Sequence, residues 1–227
     1  ICQRDAIAEV LLAQQQRRQA PAAARASAEL LRRPETVAVL TGQQAGVFGG
    51  PLFTLLKALT ALRLAERVRA EHGVPAVAIF WIDAEDHDWD EVKACGVLDA
   101  EMSAKRVSVG DPAGAHDRPV AQVALDDALV TALDELERML PATEFTPDLM
   151  TALRGAYAPG VGTAEAFGRW LEAVLGDRGL VVYDASDAAS KSLAAPVLHA
   201  NSSTRARRPP QWPKPARSSP GRATTRR

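Results

Sequence analysis

An apolar run, V-A-V-L at 37–40, stops at T-G-Q-Q-A-G-V-F-G-G-P at 41–51. A helix-spaced segment follows, and a second apolar run, A-V-A-I-F-W-I at 76–82, stops at D-A-E-D-H-D-W-D-E-V at 83–92. Two strands joined by a crossover helix make a βαβ unit, which forces a parallel pair and places both strand ends on one edge. In an open parallel sheet, ligands bind in the crevice outside those carboxyl ends. A glycine-rich segment and an acidic segment are therefore expected side by side at a binding edge.

The flanking pattern extends this to an α/β, Rossmann-like parallel sheet with flanking helices, incomplete at the C-terminus. Residues 1–36 read as an N-terminal helical segment: Ala, Leu, Gln and Arg dominate residues 4–33, with Pro21 dividing two helices that should pack over the sheet. Val37 to Leu40 is expected to be a buried first strand. After Pro51, Leu52, Leu55, Leu56, Leu59 and Leu62 recur at helical spacing, and Ala61, Leu64 and Val68 add a stripe on another side. That helix is expected to be sandwiched between layers.

Residues 97–109 read as a hairpin or an extended segment. Helices are expected over Leu125 to Leu140, Leu149 to Tyr157 and Thr163 to Leu175, with Leu180 to Tyr183 as a third strand ending in D-A-S-D. Residues 37–198 thus form the first part of a core with a helical insertion.

Charge is distributed unevenly. No acidic residue follows Asp187, whereas eight basic residues lie from Arg205 onward; removing them from the formal net charge of −1 leaves −9 for residues 1–204. Residues 199–227, rich in Arg, Pro, Ser and Thr, read as a basic disordered tail. Two cysteines, Cys2 and Cys95, are too few for a disulfide framework, and no long apolar run or signal-peptide pattern is present. A cytoplasmic protein with no membrane partner is the expectation. The chain begins with Ile, which points to a start upstream or to a fragment.

Gly42, Gly46, Gly49 and Gly50 allow positive φ or close approach of the backbone to a ligand, and the next helix directs its free N–H groups at the same spot. Thr41, Gln43 and Gln44 add side-chain donors, so the segment is expected to hold an anionic group. It matches neither G-x-G-x-x-G nor a P-loop, and a plain glycine-rich turn is the alternative. Lys57 lies where it could reach back toward a phosphate, or could be a solvated surface lysine.

Asp83, Glu85, Asp86 and His87 are expected to orient an amine or ribose hydroxyls, with His87 and Asp86 as candidate catalytic groups. A divalent metal or a solvated acidic loop are the alternatives, and no metal is expected. Trp81 and Trp89 bracket this cluster. Cys95 reads as a small buried residue, not a nucleophile.

Longer ordered stretches carry a resemblance. T-G-Q-Q-A-G-V-F-G-G-P-L-F-T-L-L-K-A-L-T-A at 41–61, F-W-I-D-A-E-D-H-D-W-D-E-V at 80–92, L-P-A-T-E-F at 140–145, A-F-G-R-W-L and V-V-Y-D-A-S-D resemble the BshC family, the cysteine ligases of bacillithiol biosynthesis. The resemblance covers residues of about 35 to 198. It implies a Rossmann-like core, a longer chain with a coiled coil that supports a homodimer, and the joining of L-cysteine to glucosaminyl-malate in the last step of the pathway.

By analogy, Thr41 to Gly50 and Asp83 to His87 line the ligand pocket. Amide formation needs a coupled free-energy source, so an acyl-adenylate or acyl-phosphate route with ATP or ADP is an expectation, although no nucleotide fingerprint is present. The resemblance fails near Leu198, where a frameshift or premature end is expected in preference to a tail that binds nucleic acid. A non-catalytic nucleotide- or sugar-acid-binding fragment is the alternative function.

Overall fold

In a computed structural model of the chain, residues 3–205 are described. Helix α1 (Arg4–Arg18) carries Asp5 in its first turn and Arg17 and Arg18 in its last, the charge order that complements a helix dipole. It ends on Gln19 in the left-handed conformation, and Pro21 starts a new helix, α2 (Ala22–Leu30).

Three strands form a parallel sheet in the order β1 (Val37–Gln44), β2 (Ala76–Asp83), β5 (Val181–Asp184). The crossover from β1 to β2 is α3 (Phe53–His72), stopped by Gly73 at positive φ, the usual helix C-terminal glycine. Between β2 and β5 come α4 (Trp89–Val92), the antiparallel hairpin β3 (Ala94–Leu98) and β4 (Ala104–Ser108), then α5 (Ala128–Met139), α6 (Thr146–Ala156) and α7 (Thr163–Leu175).

The sheet divides the interior. Ala78, Phe80, Ile82 and Val182 face the large core shared with α3, α5, α6 and α7, whereas Val77, Ile79, Val181 and Tyr183 face Ala8, Leu11, Ala28 and Leu31 of α1, α2 and the turn after them. The two N-terminal helices do pack over the sheet. Arg18 anchors them: its guanidinium is fully buried, pairs with Glu172 of α7 at 2.8 and 2.9 Å, and donates to the Val182 carbonyl at 2.8 Å.

Three expectations change. First, β1 does not stop at Leu40: Thr41, Gly42, Gln43 and Gln44 continue the ladder opposite Phe80, Trp81, Ile82 and Asp83. Second, β1 is an edge strand, not a buried one, and Leu40 is 58% exposed. Third, α3 buries only one side, through Thr54, Ala58, Ala61, Leu62 and Ala65, while Leu52, Leu56 and Leu64 are exposed.

Residues up to Leu193 form one compact unit and those from Ala194 a second. Helix α8 (Ala188–Arg205) carries Pro196 within it, so residues 199–205, expected to be irregular, are helical. The rest of the expected disordered tail, 206–227, lies outside the described residues. No described helix is long and apolar enough to cross a membrane.

Candidate functional site

The parallel register sets Gln44 beside Asp83, so both expected segments leave the sheet from neighbouring strand ends. Gly42 makes the approach possible: a Cβ there would lie 2.7 Å from the Trp81 carbonyl oxygen. Past Gln44, residues 45–50 turn through a short 3-10 segment, Val47–Gly49, in which Phe48, Gly49 and Gly50 all take positive φ. Gly49 is packed under the Trp170 ring, leaving no room for a Cβ.

The acidic segment is equally well held. The backbone N–H groups of Val120 and Ala121 donate to the carbonyls of Asp86 and Ala84, each at 2.8 Å. Asp88 caps α4 by accepting from the Glu91 N–H, and Trp89 is fully buried with its indole N–H donated to the Gly110 carbonyl at 2.9 Å. Of the two tryptophans that bracket the cluster, Trp89 is therefore structural. Trp81 is 42% exposed and stands edge-on to Tyr183 at 4.9 Å.

The two segments meet through Gln44, whose Nε2 donates to Asp86 Oδ2 at 3.1 Å and Glu91 Oε2 at 3.0 Å. Asp86 Oδ1 accepts from the His87 backbone N–H at 2.7 Å. That bond first, and the Gln44 bond second, hold the Asp86 carboxyl below the usual carboxylate range. Lys57 does reach back, but to protein: Nζ donates to Gln43 Oε1 at 2.9 Å and approaches the Gly42 carbonyl at 3.4 Å.

Two cavities share the Gln43–Gln44 wall. One, of about 510 Å³, is lined by Gly42, Gln43, Gln44, Trp81, Asp83 and Glu85. The other, of about 260 Å³, has Gly46, Gly50, Phe53, Glu91 and Cys95 among its lining residues. Thr41 and Lys57 instead line a third space of about 300 Å³, the apolar groove between β1 and α3. Gly49 lies behind the loop surface, and the exposed His87 makes no side-chain hydrogen bond among the described residues.

Glu91 is the charged lining residue that sequence reasoning missed, beside apolar ones such as Phe53. Its only early signal was membership of the acidic run. Cys95 is half-buried at the second cavity, and burial pushes its thiol up to about 11, so it is a poor nucleophile.

The charge at this edge is negative. Asp83, Glu85 and Glu91 line the cavities, whereas Asp86 and His87 line neither and Asp86 reaches them only through Gln44; Lys191 pairs with Glu85 at 2.7 Å, and Lys57 is occupied by Gln43. These residues alone do not fit the polyphosphate of ATP or ADP, which needs converging donors. Among the described residues one metal-like group occurs, Asp90, Asp111 and His116. The Lys93 ammonium already sits between its carboxylates, 2.5 Å from Asp90 and 2.8 Å from Asp111.

A three-stranded parallel sheet flanked by helices, with polar cavities at the strand ends, defines a Rossmann-like α/β domain. The family described as "Bacillithiol biosynthesis BshC, N-terminal Rossmann-like domain" matches residues 2–208, so the match takes in both N-terminal helices and continues past Leu198. Relatives named "Putative cysteine ligase BshC" include those of Salinibacter ruber, 37% identical over 197 residues, Symbiobacterium thermophilum, 35% over 183, and Chlorobaculum tepidum, 33% over 198. These alignments cover 86%, 76% and 86% of the chain but 36%, 33% and 35% of the relatives, so the chain spans about a third of their length. The chain belongs to the BshC family of bacillithiol biosynthesis.

Proposed function

We propose that this domain supplies the substrate-binding edge of a ligase that joins L-cysteine to glucosaminyl-malate, the last step of bacillithiol synthesis. The observation that carries the reading is the pair of cavities meeting at Gln43 and Gln44, since ligation needs two substrates held side by side. The larger cavity suits a hydroxylated amine: Asp83 and Glu85 accept from hydroxyl or ammonium groups, Gln43 and Gln44 both donate and accept, and Trp81 offers an aromatic face. The smaller one suits an amino acid.

In the step itself the amine nitrogen loses a proton and bonds to the cysteinyl carbonyl carbon, while the activating group leaves with the electrons of its C–O bond. Asp86, kept ionised and doubly hydrogen-bonded, acts as a fixed anion and not as the base. His87, exposed on the same loop, is assigned as the proton acceptor, its imidazole offering a nitrogen lone pair. Carboxyl activation is assigned to none of these residues. Homodimerisation through a coiled coil remains part of the proposal for the longer protein.

Calorimetric titration of the chain with glucosaminyl-malate and with L-cysteine tests the reading. Saturable binding of both is expected, with the glucosaminyl-malate affinity falling about tenfold in Asp83→Asn. Absence of saturable binding for both compounds would overturn it.

A second reading is binding without turnover. It is favoured by the acidic lining of both cavities, which offers no converging donors for the polyphosphate of an activating nucleotide. Binding with no amide product in a ligation assay would establish it.

A further inference from the structure

We infer that Tyr157 is the positioning residue of the candidate site: its hydroxyl fixes the Gly46–Gly50 loop that walls the smaller cavity. Tyr157 directly follows α6 and is 1% exposed. Its oxygen accepts from the Gly49 N–H at 2.9 Å and donates to the Gly46 carbonyl at 3.0 Å. One hydroxyl thus closes the loop at both ends, using its single proton and one lone pair.

The ring packs beside Phe48 at 5.7 Å between centroids, against a residue held at φ 53°. Non-glycine residues adopt that conformation only when their surroundings fix it. Trp170 of α7 closes the same side, against Gly49. Gly46 and Gly50 of the same loop line the smaller cavity together with Glu91 and Cys95. The helical insertion therefore sets the shape of the ligand wall through a residue that touches no ligand. Burial pushes the phenol far up, so the donor persists over the whole working pH range.

The inference rests on the reading that the smaller cavity takes an amino acid. Its test uses the full chain, with L-cysteine as the probe and Tyr157→Phe as the variant, since phenylalanine keeps the ring packing and removes only the hydroxyl. Leu11→Val, in the core on the other face of the sheet, controls for general loosening.

Hydrogen exchange of residues 46–50 is expected to quicken at least tenfold in Tyr157→Phe and not in Leu11→Val, with β2 amides unchanged in the former. The L-cysteine dissociation constant is expected to rise at least fivefold in Tyr157→Phe alone. Unchanged exchange at 46–50, or a loosened loop with unchanged affinity, overturns the inference. If the wild-type chain does not bind L-cysteine, the substrate reading fails, and the exchange comparison by itself decides whether Tyr157 fixes the loop.

Discussion

Asp86 and Glu91 share one donor, the side-chain nitrogen of Gln44, at 3.1 and 3.0 Å. A neutral amide separates two carboxylates without cancelling their charge. The end of β1 is thereby locked to α4 and the segment before it, and the wall between the two cavities is fixed.

Gln44→Ala should lower affinity for glucosaminyl-malate by roughly fivefold, the value of one lost hydrogen bond. It should also move the acid side of stability. The folded-state pKa of Asp86 is depressed, so its contribution is present above the unfolded value of about 3.9 and is lost as pH falls through the folded value. Removing Gln44 raises the folded value part of the way back, because the His87 N–H bond remains. The variant should therefore lose this contribution at a higher pH than wild type. An NMR titration of the Asp86 carboxyl measures the shift, and an unchanged value would contradict the assignment.

Gly49→Ala should be the most damaging single-methyl change in the loop. Its φ is +89°, and the added Cβ would meet the Trp170 ring at 2.5 Å. Overpacking of this kind costs about 1–3 kcal/mol before the φ penalty is added. Urea denaturation gives the loss. Gly73→Ala, at φ +67° with open space around it, should cost less, since only the backbone term applies there.

The sequence carried the strands that position the site but not the contacts that shape it. Apolar runs ending in polar residues located β1, β2 and β5, because a parallel strand must be bounded by residues able to meet solvent or ligand. The reading of Thr41–Gln44 as a turn failed because the strand keeps its register with β2 wherever Gly42 lets the chains approach, and neighbouring backbone is invisible to local pattern.

Leu40 and Leu64 looked like core residues for the same reason: periodicity shows that a face is apolar, not whether anything covers it. Tyr157 lies 108 residues from its partner Gly49, and Glu91 was one acid among six. Convergence of this kind is a property of the fold. Asp83, Glu85 and the two glutamines were legible because they sit at strand ends, where βαβ geometry alone fixes their placement.

The ion pair of Arg18 and Glu172 gives a test of how the N-terminal helices are held. Burial works against both charges, and for Arg18 the hydrogen bond and charge of Glu172 outweigh it, so the guanidinium stays protonated. Arg18→Met or Glu172→Leu alone should each cost about 3–5 kcal/mol, since either leaves a buried charge without its partner. The double variant should recover most of the Glu172→Leu loss. Chemical denaturation of the three variants completes the cycle. Additive losses would mean that Arg18 acts mainly through its bond to the Val182 carbonyl.

Cys95 lines the smaller cavity, and its thiol is pushed up to about 11 by burial. Thiolate is the reactive form, and an ordinary cysteine titrates near 8.5, so at pH 7.5 Cys95 should alkylate at least tenfold more slowly than a model thiol. Iodoacetamide labelling followed by mass spectrometry, in a Cys2→Ser background, reads this single site. The rate should climb steadily between pH 7.5 and 10, with no plateau near 8.5. Saturating L-cysteine should slow it further if the amino acid occupies that cavity, and equal rates with and without L-cysteine would place the amino acid elsewhere. Labelling as fast as the model thiol would show instead that Cys95 is open to solvent, and its assignment as a half-buried, unreactive residue would fall with it.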